Sequence, residues 1–262
     1  MKKYELTDEY IEIGLTTKIK LYRIKALVAI ASIGVNAGDL GGYIEKESNL
    51  DQSGDAWVYG NAWVYGDAWV YGNAKVSGNA KVYGDAEVSG NAKVYGDAEV
   101  CGNAEVYGDA WVYGNAKVSG NAKVYGNAKV YGDAWVYGNA WVYGNAWVYG
   151  NAWVYGDAWV YGNAKVYGNA KVYGDAEVCG NAKVSGDAEV CERSAIVWFS
   201  NVGTECGTLT IFKTKQGVLW ATRGCFRGSV EEFLKKSAEV HDEKTKREYQ
   251  LLIEVAKSRL NN

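Results

Sequence analysis

Gly108-Asp109-Ala110-Trp111-Val112-Tyr113-Gly114-Asn115-Ala116-Lys117-Val118-Ser119 contains one six-residue unit twice: Gly-(Asn/Asp)-Ala-x-Val-(Tyr/Ser/Cys). Outward from this stretch the unit runs from Gly54 to Cys191 without insertion or deletion, 23 copies in 138 residues. Six residues are too few for a helix pair or a propeller blade, but they suit a short strand of about four residues and a two-residue corner. Ala and Val alternate with x, so they point to one side and x to the other, while Tyr lies outward or near the corner. Gly-Asn and Gly-Asp supply the bend, Gly because it accepts positive φ and Asn or Asp because they tolerate left-handed geometry better than most residues. Three units then close a triangular coil, and stacking at about 4.8 Å gives seven to eight coils around an Ala and Val core, a prism roughly 35 to 40 Å long.

Glycine-rich repetition often marks disordered sequence. Here every unit carries Val and Ala in fixed phase, and most add Tyr or Trp, which disordered tracts lack. The same bias dominates the composition: 33 Gly, 21 Tyr and 11 Trp against no Pro and one His in 262 residues, with 48% hydrophobic.

The repeat resembles the hexapeptide-repeat proteins of the trimeric-acyltransferase-like superfamily, whose members include acyltransferases and the γ-class carbonic anhydrases. The resemblance implies a left-handed parallel β-helix; the periodicity alone does not give the hand. Ala37-Gly38-Asp39-Leu40-Gly41-Gly42-Tyr43-Ile44-Glu45 and Gly224-Cys225-Phe226-Arg227-Gly228-Ser229-Val230-Glu231-Glu232-Phe233, taken with the repeat, resemble a group of phage and prophage hexapeptide proteins across nearly the whole chain. That likeness implies architecture and origin, and no particular chemistry.

The expected fold is mainly β: a solenoid over 54–191, a β-rich N-terminal cap with an irregular first coil over 1–53, and an α+β C-terminal cap over 192–262. Ile19, Leu21, Ile24, Ala26 and Val28 mark a β-rich stretch in the first cap. In the second, Ile196–Phe199, Leu209–Phe212 and Val218–Ala221 read as strands. Ser229 with Glu232 reads as a capping box opening a helix through Phe233, Leu234 and Ala238, with a second helix from about Lys244 through Tyr249, Leu252, Ile253 and Val255. Caps are needed because terminal coils otherwise expose apolar core and open strand edges.

Catalysis is not expected. Acyl transfer in this superfamily generally uses a histidine at a coil edge, and the carbonic anhydrases use three for zinc, whereas this repeat has none and no extruded loop. The single histidine, His241, is expected in a turn between helices, where a nucleophile pair with Cys225 is a weaker account than a loop histidine beside a buried cysteine. Asp67 and Asp85, one coil apart, suit corners better than a calcium site. No metal or other cofactor is expected. Five cysteines without disulfide or zinc spacing suggest a reducing compartment, and no segment reads as a membrane span, so a cytoplasmic location is expected, in the host cell if phage-encoded.

Distinct information sits at x. Read every eighteenth residue, one face runs Trp57, Lys75, Lys93, Trp111, Lys129, Trp147, Lys165, Lys183; the next Trp63, Lys81, Glu99, Lys117, Trp135, Trp153, Lys171, Glu189; the third Trp69, Glu87, Glu105, Lys123, Trp141, Trp159, Glu177. Tryptophan thus forms two belts, Trp57/Trp63/Trp69 and Trp135/Trp141/Trp147/Trp153/Trp159. At about 150–250 Å² per Trp, the second exceeds the few hundred Å² of contiguous apolar surface usual on a monomer. The favoured function is a non-catalytic scaffold whose belts mediate self-association, as an oligomer or filament, or contact with a host protein. The alternative is aromatic stacking of a small planar ligand such as a sugar or nucleobase; an acyltransferase ranks below both. Aromatics that only stabilise the rod are the bland account. Nine Lys against five Glu and nine Asp in the repeat disfavour long nucleic acid, and the net charge of −3 disfavours anionic membranes.

Overall fold

The computed structural model describes residues 2–214 and 216–260. The repeat folds as a parallel β-solenoid of about eight turns. Residues pair with their counterparts three units on, Lys93 with Trp111 and Val94 with Val112, so each turn takes 18 residues. Three sheets result, here the first, second and third faces, with rungs starting at Trp57, Trp63 and Trp69. The ladder bonds join successive turns: Lys93 N–H donates to the Ala110 carbonyl and Lys117 N–H to that of Ala134, both at 2.9 Å.

Ala and Val of every unit are fully buried, and each valine so covered contributes about 1.5–3 kcal/mol relative to exposure. Most rungs are shorter than the expected four residues. Two residues pair in most units, and four only in a run on the first face from Lys93–Gly96 to Trp147–Gly150, where pairing continues through Tyr and Gly.

The corners also differ from expectation. Gly114 has φ +72°, a left-handed conformation that costs other L-residues about 1–2 kcal/mol. The Asn or Asp that follows does not share it; among the described residues the non-glycine positions with positive φ are Asn201 and Cys206, both outside the repeat. The corner side chains instead bond up the rod. Asn91 Nδ2 donates to Asp109 Oδ1 at 2.9 Å, and Asn127 Nδ2 to Asn145 Oδ1 at 3.3 Å. Asn both donates and accepts, whereas ionised Asp only accepts, so a run that reaches Asp stops there.

Both ends of the solenoid are closed by polar groups that meet its open backbone. At the start β1 (Tyr4–Ile13) and β2 (Ile19–Ala26) form an antiparallel hairpin, and β3 (Leu40–Ile44) pairs with β2 on one side and with the Trp63 rung on the other. Leu21, Ile24 and Ala26 are buried as core residues; Val28 lies beyond the strand. The three terminal alanine carbonyls each find a donor. Lys3 Nζ reaches Ala56 O at 2.9 Å, Tyr43 N–H reaches Ala62 O at 2.9 Å, and Asn49 Nδ2 reaches Ala68 O at 2.8 Å. Lys3 also contacts the carbonyls of Ser53 and Gly54.

At the far end β4 (Ile196–Val202), β5 (Gly207–Lys213), β6 (Leu219–Arg223) and β7 (Phe226–Ser229) form an antiparallel sheet. Ile196 and Phe212 extend the solenoid core. The last first-face rung is bonded through threonines: Lys183 N–H donates to Thr210 Oγ1 at 3.1 Å, and Thr222 Oγ1 donates to Lys183 O at 2.8 Å. Helices α1 (Val230–Val240) and α2 (Glu243–Leu260) pack on the sheet through Phe233, Tyr249 and Ile253. The Ser229/Glu232 capping box opens α1: Glu232 N–H donates to Ser229 Oγ at 3.1 Å, and Ser229 N–H to Glu232 Oε2 at 2.8 Å. Among the described residues, no helix is long and apolar enough to cross a membrane.

Candidate functional site

Each solenoid face carries two outward ladders, because x and Tyr flank an inward Val. The tyrosines stack on one another between turns. Tyr95, Tyr113, Tyr131 and Tyr149 succeed one another on the first face at 4.8–4.9 Å between ring centroids, tilted by no more than 4°. Tyr107, Tyr125, Tyr143 and Tyr161 do the same on the third. Burial among neighbouring rings holds the phenols protonated above their ordinary range: Tyr113, Tyr125 and Tyr137 rise for this reason, and Tyr131 reaches about 12.

The tryptophans of the second belt occupy x on all three faces over two turns. Trp135 stacks on Trp153 at 5.4 Å and Trp141 on Trp159 at 5.3 Å, with Trp147 on the remaining face. Trp135 and Trp159 are each 39% exposed. Edge-to-face tyrosines support them from the preceding turn, Tyr131 against Trp147 at 6.4 Å and Tyr137 against Trp153 at 6.3 Å.

The first belt is not an equivalent surface. Trp57, expected outside, is buried at 1% exposure and meets Tyr4 edge-on at 6.3 Å. The N-terminal segment covers it, and Tyr4 is fixed there by donating its hydroxyl to the carbonyls of Glu47 and Leu50 at 2.8 and 2.7 Å. Trp63 is half-buried beside Tyr43, with Lys81 Nζ 4.9 Å above its ring. Trp69 remains 41% exposed, stacked on Tyr71 at 4.0 Å. The belt therefore does not encircle the rod as an open surface.

Lysines at x lie on the tryptophans. On the first face Lys129 Nζ sits between Trp111 and Trp147, at 4.7 and 5.3 Å, while Lys93 covers Trp111 at 4.6 Å and Lys165 covers Trp147 at 4.3 Å. An open trough follows this ladder, with Asn91, Asp109, Asn127 and Asn145 as its other wall. On the other faces x lysines meet acids: Lys117 with Glu99, Lys123 with Glu105 and Lys171 with Glu189. Face-by-face charge was legible at x because three units per turn set the period at eighteen residues.

Cys225 and His241 line one cavity of about 340 Å³ with Arg223, Phe226 and Phe233. Cys225 is exposed, not buried, because it lies in the tight turn between β6 and β7. His241 is the C-cap of α1, with Nδ1 3.2 Å from Ser237 Oγ and its ring edge-on to Tyr249 at 5.4 Å. Among the described residues no hydrogen bond joins Cys225 to His241. All five cysteines are free thiols.

A family profile described as the YdcK beta solenoid repeat matches residues 56–72 and five overlapping windows, 122–138, 128–144, 134–150, 140–156 and 146–162. The chain is a repeat β-solenoid protein. Its five later matches advance in steps of six residues and cover all five tryptophans of the second belt. No curated protein matches the chain.

Proposed function

We propose that this β-solenoid is a non-catalytic scaffold that works by self-association through its outer aromatic surface. The observation that carries this reading is the second tryptophan belt, stacked in ordered pairs with Trp135 and Trp159 still 39% exposed. An apolar surface of this kind is stabilised when a partner covers it, at roughly 25 cal/mol per Å² removed from water. The proposal includes a left-handed coil of the hexapeptide-repeat kind and a phage-type origin, supported by the Gly-(Asn/Asp)-Ala-x-Val unit and the flanking segments 37–45 and 224–233. It also includes a cytoplasmic location.

Replacing Trp135, Trp141, Trp147, Trp153 and Trp159 together by Lys tests the reading. Lysine already occupies x in nine units, so the variant is expected to keep the wild-type circular dichroism while losing concentration-dependent growth in mass. A folded variant that associates like the wild type would sink the belt as the contact.

A second reading, capture of a small planar ligand, is favoured by the first-face trough between Trp111, Trp147 and the Asn ladder. It predicts a saturable change in tryptophan fluorescence on titration with mono- and oligosaccharides or nucleosides. A flat response to all of them would count against it.

A further inference from the structure

The three faces do not share charge evenly. At x and at the corner preceding it, the first face carries Lys75, Lys93, Lys129, Lys165 and Lys183 against Asp55 and Asp109, a surplus of three positive charges. The third face carries Lys123 against three glutamates, Glu87, Glu105 and Glu177, and four aspartates, a surplus of six negative charges. The second lies between, with three lysines against two glutamates and three aspartates. A chain with net charge −3 thus has a cationic first face and an acidic third face, the latter still net negative after Lys46 bridges Asp67 and Arg193 bridges Glu177.

We infer that the first face of one copy docks on the third face of a second copy, with the rods parallel and in register. This rests on the self-association proposed above and names its surfaces. In the second, third and seventh turns Lys75 faces Glu87, Lys93 faces Glu105, and Lys165 faces Glu177. In the fourth and fifth, Trp111 faces Lys123 and Lys129 faces Trp141, two cation–π pairs. In the sixth, Trp147 faces Trp159. Every other in-register pairing of parallel faces opposes like charges; first against second sets Lys75 on Lys81 and Lys165 on Lys171, and second against third sets Glu99 on Glu105.

The geometry permits these contacts. Facing strands of two parallel rods run in opposite directions, so x residues meet diagonally across the tyrosine ladders, offset by two strand residues, roughly 7 Å. Lys, Glu and Trp side chains span that distance. Because the two docking faces differ, each copy keeps one free for the next, and the contact propagates beyond a dimer. Charge complementarity of this kind sets register and excludes wrong partners.

Two charge-reversed full-length variants test the pairing: Lys93→Glu with Lys165→Glu, and Glu105→Lys with Glu177→Lys. Both residue types already stand at x elsewhere in the repeat, and Lys75 and Lys93 already adjoin, as do Lys165 and Lys183; the glutamate variant gives up the half-exposed Lys123–Glu105 and Arg193–Glu177 bridges, and circular dichroism verifies that each variant folds. Light scattering at low salt is expected to show each variant alone associating at least about tenfold more weakly than wild type. An equimolar mixture regains the wild-type mass, since the intact lysine face of one variant meets the intact glutamate face of the other and the two reversed faces are again opposite in charge, so the contact propagates. Variants that associate like wild type, or a mixture that stays at monomer mass, would overturn the pairing while leaving self-association standing. Wild type that stays monomeric at every concentration would remove both. Retention of that monomer on immobilised heparin, lost in the lysine variant, would assign the first face to an acidic polymer instead.

Discussion

Gly114 shows how tightly single positions are held. A Cβ added there would stand 3.0 Å from Gly132 N and 3.2 Å from Gly132 O of the next turn, at a φ of +72°. Gly114→Ala is therefore expected to destabilise the chain by about 1–2 kcal/mol, read as a lower denaturation midpoint; an unchanged midpoint would contradict the corner geometry. The glycine was legible because a six-residue unit needs a reversal at a fixed place. Its Asn/Asp partner was misread, since the amide ladder depends on a neighbour 18 residues away. Trp57 illustrates the same limit. It is identical in sequence context to its exposed counterparts and is set apart only by Tyr4, 53 residues earlier.

Among elements, the tyrosine ladders make a prediction in pH. Their phenols have folded pKa values raised above 10.0 by burial, Tyr131 to about 12. Protons are then held more tightly in the folded than in the unfolded chain. The stabilisation is complete below about pH 10 and is lost as pH rises through the folded values. Absorbance near 295 nm should show ladder tyrosines ionising above pH 10, with stability falling over the same range; ionisation at pH 10 without loss of stability would refute the packing assigned to the ladders. The rungs were legible from strict alternation, as were β4, β5, β6 and both helices. β1 was not, because half of its residues are exposed, only Tyr4 is fully buried, and no buried alternation marks it. β7, four residues long, was not among the strands read from the sequence.

For the whole molecule, the decisive property is how a rod of stacked strands ends and what its sides meet. Its ends are closed within the chain, by Lys3, Tyr43 and Asn49 on the first turn and by Thr210 and Thr222 on the last. These caps were expected as a need of any solenoid, but the residues that meet the open backbone were not legible, because they act across long separations. The sides remain uncovered. They carry a tryptophan belt around two turns and opposite charge on two faces, and we propose that further copies of the chain cover them. Molar mass by light scattering across a concentration series, at about 50 mM and about 500 mM salt, tests this most directly, since screening shortens from about 14 Å to about 4 Å between those conditions. The expected result is mass that grows with concentration at low salt and grows less at high salt. A mass that stays at one chain throughout would contradict it.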